Sequence, residues 1–333
     1  DQKINHGYLA VDFFFILSGF VIGYAYDDRW KTMTVKDFIK RRVIRLHPMV
    51  VMGAVIGAVM FYFQGCPVWD VTKVTVAALL LATFVNALLI PATPGTEIRG
   101  LGEMYPLNGP SWSLFFEYIG NILYALIIRK FSTKALAVLV VAAGCGLAAF
   151  SIFGPYGDIC AGFSLTGTEF TGGFFRLLYA FSAGLLLSRV FKPARVRGAF
   201  WKCSLLVIIL LAVPRLGGAD RLWMNGLYDT VCFALFFPLI VYWGASGKIT
   251  DRYTNRVCKF LGDISYPLYM VHYPFIYLYY GWVKNEELTF GESLPGALAV
   301  VVGSILLAYI CLKLYDEPVR RYLANRFLKS KKR

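Results

Sequence analysis

Ten apolar segments, 15 to 23 residues long, follow one another along this 333-residue chain and constrain its fold more than any other feature. A helix rises about 1.5 Å per residue, so such segments approach the roughly 30 Å of hydrocarbon in a bilayer. They occupy 8–26, 48–63, 74–90, 112–128, 135–153, 173–190, 203–217, 225–246, 260–282 and 297–315. Only 16% of the residues are charged and 58% are hydrophobic, where a soluble domain carries about 25% charged residues. The expected fold class is an all-α polytopic membrane protein.

The polar stretches between these segments are short and unequally charged. Of the 34 Lys and Arg, 26 fall in 27–47, 129–134, 189–202, 247–259 and 316–333. That is the positive-inside bias, so the net charge of +14 describes topology and anionic lipid rather than a nucleic-acid partner. Counting crossings back from the basic tail puts 91–111 outside, and counting forward from 27–47 puts 64–73 outside. Both flanks of 74–90 then lie on one side, and that segment is expected to be re-entrant or interfacial, leaving about nine crossings. The opening D-Q-K-I-N-H has no Met and no basic leader, and the parity places it outside, so a further crossing is expected upstream. The carboxy terminus is expected in the cytoplasm. No stretch between segments is long enough for a separate soluble domain, so 1–333 is expected to form a single integral-membrane domain.

The basic stretch R-R-V-I-R-L-H-P, Arg41 to Pro48, lies between the first two apolar segments and admits two readings. Lys and Arg hold a loop on the cytoplasmic side. Alternatively, Arg42 and Arg45, three apart on a short helix, share a face and form a fork for phosphates. Spacing leaves both open. Ionisable residues inside apolar segments are costly and point to function by default. Asp12, Glu117, Arg176 and His272 are such residues. Asp12 and Arg176 also fit a hydrated place near the outer interface, and Glu117 and His272 fit interhelical hydrogen bonds that hold a bundle together. Tyr266, Tyr269 and Tyr273 around His272 read equally as an interfacial belt or as a substrate wall. His6 and His47 complete the three histidines.

The stretch Pro91 to Pro110 has too many Gly and Pro for regular structure, and a long ordered loop is often functional. Seven cysteines include no C-x-x-C, so neither a metal knuckle nor a redox pair is indicated. Cys66 and Cys160 fall in expected outer loops, where a disulfide is an open alternative. There is no P-loop, no nucleophile elbow and no H-E-x-x-H, and Ser113 and Ser265 lack an adjacent base.

Taken in series, the motifs resemble the bacterial membrane-bound acyltransferase family 3, a family of O-acyltransferases. G-Y-L-A-V-D-F-F-F-I-L-S-G-F-V-I is similar to the family's second helix, R-R-V-I-R-L-H-P to its R-x-x-R loop, and N-G-P-S-W-S-L-F-F-E-Y to its W-S-L-x-x-E segment. L-G-D-I-S-Y-P-L-Y-M-V-H-Y-P-F and Y-D-E-P-V-R-R resemble its last two helices. The resemblance implies a ten-helix enzyme of the bacterial inner membrane that takes an acyl group, usually acetyl, from cytoplasmic acyl-CoA. It passes the group to a hydroxyl of a sugar or other cell-envelope acceptor, without a metal. Arg42 and Arg45, with Arg41 beside them, would bind the CoA phosphates. Trp112, Ser113 and Glu117 would belong to the active cavity, together with Asp12 and Tyr266. The family's essential histidine lies in its first helix, which would precede Asp1, and His272 is the weaker candidate base within the chain. Glu117 would orient the imidazole or bind the acceptor.

A transporter or flippase for a polar or lipid-linked substrate is the alternative, since buried charges and broken segments suit it equally. The absence of an internal repeat counts mildly against it. The two readings part at the arginines, because Lys serves topology as well as Arg does but lacks the planar fork.

Overall fold

The structure is a computed structural model that describes residues 4–65, 70–249 and 251–328. Among these residues the regular structure is helical, with two isolated bridges and no strand. The helices are α1 (Ala10–Tyr26), α2 (Val35–Phe63), α3 (Val76–Ala87), α4 (Ser111–Leu126), α5 (Thr133–Phe153) and α6 (Gly167–Val190). They continue as α7 (Ala199–Ala212), α8 (Trp223–Val231), α9 (Phe237–Ser246), α10 (Arg252–Asn285), α11 (Phe290–Cys311) and α12 (Glu317–Phe327). Two joins are π turns, Cys232–Phe236 between α8 and α9 and Leu312–Asp316 between α11 and α12, so each pair reads as one long helix. Cys66 lies outside the described residues, so its pairing with Cys160 does too.

Seven helical stretches among the described residues are long and apolar enough to cross a membrane, and the all-α polytopic class holds. They include α1, α2, α4, α5, α6, the α8–α9 pair and the α11–α12 pair. With 34 residues α10 is long enough, but its tyrosines and polar ends lower its hydropathy. The segment expected to be re-entrant forms α3, whose 12 residues span only about 18 Å. Two boundaries differ from those expected. The arginine stretch is not in a loop before the second span, because α2 already starts at Val35 and runs through Pro48 without a break. Likewise the last span continues through its π turn into the basic tail. Local caps fix several starts: Ser132 Oγ accepts from Ala135 N at 3.1 Å before α5, and Thr289 and Glu292 form a capping box before α11.

The chain divides into two compact units. The first comprises residues 1–35, 116–162 and 167–258, and the second 36–115, 163–166 and 259–333. In the first, α1 packs along α6 at glycines. A methyl group on Gly19 would come 2.1 Å from Phe181 O, and one on Gly184 would come 2.0 Å from Ile16 O. Small residues let two backbones touch, which is the usual route to tight helix pairs in lipid. In the second unit α2 meets the 91–110 loop and α10 in the same way. A methyl on Gly57 would strike Leu107 O at 2.2 Å, and one on Gly53 would lie 2.6 Å from Asn108 Nδ2 and 2.9 Å from Met270 O.

Candidate functional site

In the second unit the expected site residues gather on α2 and α10. Arg42 and Arg45 stand on one face of α2, with Arg41 and Arg45 exposed and Arg42 half-buried. The adjoining backbone is anchored from α10, where Tyr266 Oη donates to Leu46 O at 2.5 Å. Spacings of three and four set Tyr266, Tyr269, Tyr273, Tyr277 and Tyr280 along one stripe of α10. Tyr269 Oη lies 2.6 Å from Ser113 Oγ, and both hydroxyls reach Pro110 O. Trp112 is buried edge-on against Phe163. Ser113, Tyr266 and the arginines are therefore tied to one scaffold, α10.

His272 sits on α10 between Tyr269 and Tyr273. Its Nδ1 lies 2.9 Å from Tyr269 O and 3.1 Å from Leu268 O. Carbonyl oxygens only accept, so Nδ1 carries the proton and Nε2 keeps the lone pair of the neutral ring. A base held in one tautomer is what general-base chemistry requires.

The 91–110 loop is ordered by its own charges. Gly95, Gly100 and Gly102 adopt positive φ (84°, 78° and 72°), conformations glycine enters without penalty. Glu97 accepts from Arg99 N and Gly102 N at 2.6 and 2.8 Å. Arg99 is buried, its guanidinium 3.7 Å from the centre of the Tyr277 ring and 4.9 Å from that of Phe61, and its Nε donates to Pro106 O. Glu103 accepts from Tyr277 Oη. Burial pushes its carboxyl up to about 7, against the Tyr277 hydrogen bond and the Arg99 charge.

The first unit holds the other expected residues, in a polar network. Asp12 and Arg176 are fully buried and paired as a two-pronged fork, Nε to Oδ1 at 3.0 Å and Nη2 to Oδ2 at 2.8 Å. They pair with each other, where the hydrated reading had set them in water. Arg176 also donates to Ala161 O and Tyr8 O. Beside this fork Tyr8 Oη donates to Asp229, Arg215 bridges Tyr8 and Asp158 at 2.7 Å each, and Ile159 N donates to Asp229. His6 is buried, its Nδ1 2.8 Å from Val213 O, and burial lowers its basicity. Glu117 accepts from Ser18 Oγ of α1 at 2.8 Å.

Sequence reasoning did not find Ser18, Glu103, Tyr277 or the Tyr8, Asp158, Arg215 and Asp229 group. Of the α10 stripe, Tyr266, Tyr269 and Tyr273 were singled out around His272, as a belt or a wall. The others gave no local signal, because their partners are remote in sequence.

This architecture defines a polytopic α-helical membrane protein. An acyltransferase domain, that of acyltransferase family 3, matches residues 2–313, and the chain belongs to that family. Protein 2 in the picA locus of Rhizobium radiobacter is 37% identical over 125 residues, which cover 35% of this chain and 64% of that protein. The aligned part thus spans a little under two thirds of the relative. No solved structure matches.

Proposed function

We propose that the chain is an integral-membrane O-acyltransferase of the bacterial inner membrane, with its carboxy terminus in the cytoplasm. It moves an acyl group, most simply acetyl, from cytoplasmic acyl-CoA to a hydroxyl of a sugar or other cell-envelope acceptor. Family membership supports the reaction type. The observation that carries the donor is the pair Arg42 and Arg45 on one face of α2, in a helix whose neighbouring carbonyl is pinned by Tyr266. Two guanidiniums spaced by one turn suit a diphosphate, because each offers a planar fork of donors.

In the reaction the acceptor oxygen attacks the thioester carbonyl carbon as an imidazole takes its proton. The C–S bond then breaks, and the proton passes to the departing CoA thiolate, so that ester and free thiol leave together. The family's histidine is expected upstream of Asp1, and within the chain His272, with its lone pair on Nε2, is the weaker candidate for that task. Donor and acceptor held side by side gain most of the rate by position. Tyr269, whose ring lies beside His272, shares a hydrogen bond with Ser113 of α4.

The test is release of free CoA from acetyl-CoA by membranes that contain the protein, with labelled acetyl followed into cell-envelope material. If His272 serves as the base, His272→Ala lowers transfer while CoA binding persists. Transfer at the wild-type rate would assign the base to another group, and no thiol release from folded wild type would favour the transporter reading.

A further inference from the structure

Where α1, α4 and α6 end, the first unit holds a cation that the reaction does not use. Arg129 is half-buried in the short 3-10 turn Ile128–Lys130 that follows α4. Its Nε donates to Ala125 O at 2.6 Å, and its guanidinium lies 4.2 Å from the centre of the Trp30 ring. Trp30 belongs to the turn Asp27–Lys31 after α1, and its own place is fixed. Its Nε1 donates to Tyr124 Oη at 3.0 Å, and Tyr124 Oη donates to Asp27 Oδ1 at 2.6 Å. The other oxygen of Asp27 accepts from Arg189 Nε at 2.9 Å, and Arg189 Nη1 donates to Phe131 O at 2.7 Å. Asp27 is thereby engaged by Arg189, whereas among the described residues no carboxylate pairs with Arg129.

A guanidinium presents its N–H donors in one plane. Ala125 O takes the donor on Nε, and the Trp30 face supports the plane, so both Nη groups are held in advance of any ligand. Such a pair of donors matches two oxygens of a phosphate. The surroundings favour a phospholipid over a free anion. On α4, Ile122 and Leu126 lie one turn apart, and with Ile127 they are 45%, 48% and 49% exposed. This apolar strip runs along the chain up to Arg129, as acyl chains run up to a headgroup phosphate. In the two turns Arg29, Lys31 and Lys130 stand against one remaining carboxylate, Asp28, so the local charge favours a lipid of net negative charge.

We propose that Arg129, braced by Trp30, binds the phosphate of an anionic phospholipid whose chain lies along Ile122 and Leu126. The site is independent of the donor reading above and stands whether or not that reading does. A purely structural Arg129 would close the end of α4 and stack on Trp30 without discriminating between lipids.

Thermal melting of the full chain in a neutral detergent, titrated with phosphatidylglycerol, phosphatidylcholine or inorganic phosphate, tests the proposal. Phosphatidylglycerol is expected to raise the melting temperature of wild type saturably, and the other two to leave it nearly unchanged. Arg129→Gln should raise the phosphatidylglycerol concentration needed for half the shift about tenfold or more, and Arg129→Lys should recover part of that loss. Lys130→Gln, which removes the same charge from the neighbouring position, should change it far less. An equal loss in Lys130→Gln would mean diffuse attraction to the basic turn and overturn the site. So would an undiminished shift in Arg129→Gln, or no shift in wild type. A shift with inorganic phosphate as large as that with the lipid would give Arg129 a soluble anion and overturn the lipid assignment. Should Arg129→Gln not fold, Trp30→Leu, which keeps the charge and removes its aromatic support, is expected to raise the same concentration, and an unchanged value overturns the proposal.

Discussion

Glu103 shows how much one buried side chain can report. Its carboxyl in the folded chain titrates near 7 because the loop buries it, above the ordinary 4.5 of a free Glu. Between about pH 4.5 and 7 the folded loop therefore holds a proton that the unfolded chain has released. Docking of the 91–110 loop is strongest below that window and weakens as pH rises through it. Amide exchange of the loop is expected to speed up from about pH 5 to pH 8, after correction for the intrinsic pH effect, and Glu103→Gln should remove the change. The Asp12–Arg176 fork makes a second prediction. Removing one partner strands a buried charge, so Arg176→Ala should destabilise the folded protein by about 3–5 kcal/mol, read as a fall in melting temperature in detergent. Both ionisable residues were visible in the sequence as interruptions of apolar runs. Their pairing was not, since 164 residues separate them and nothing local to either names the other.

At the scale of elements, hydrophobic length identified the helices, and local chemistry decided their ends. The expected second span began at Pro48, where the apolar run starts after the arginines. In the folded chain α2 passes through it, having started at Val35. That difference matters for the site, since it places Arg42 and Arg45 on the rigid body of a long helix and fixes their common face. Glycine positions are a second feature that sequence alone ranks poorly. Gly184 and Gly244 look alike in the chain, yet a methyl on Gly184 would lie 2.0 Å from Ile16 O and one on Gly244 would meet nothing within 4 Å. Gly184→Ala is expected to lower the melting temperature by prising α6 from α1. Gly244→Ala should be neutral or mildly stabilising, because alanine favours helix over glycine by up to about 1 kcal/mol.

For the whole molecule, the run of apolar segments and the serial motifs were enough to reach the class and the family. They did not reach the grouping of side chains, which depends on helix packing that no single segment encodes. The charge bias makes a prediction of its own: single cysteines at Lys130 and Lys192 should react with an impermeant thiol reagent from the cytoplasmic side only, and one at Thr96 only from the other side. Labelling of Lys192 and Thr96 from the same side would contradict the proposed topology. The central claim is that Arg42 and Arg45 hold an acyl-CoA donor, and acetyl-CoA binding to the purified protein measures it most directly. Wild type should bind saturably, and Arg42→Lys/Arg45→Lys, equally folded and with its positive charge intact, should bind about tenfold more weakly or worse, a loss of about 1.4 kcal/mol. Equal affinity in the two proteins, or no binding by folded wild type, would contradict the claim and leave the arginines a role in topology alone.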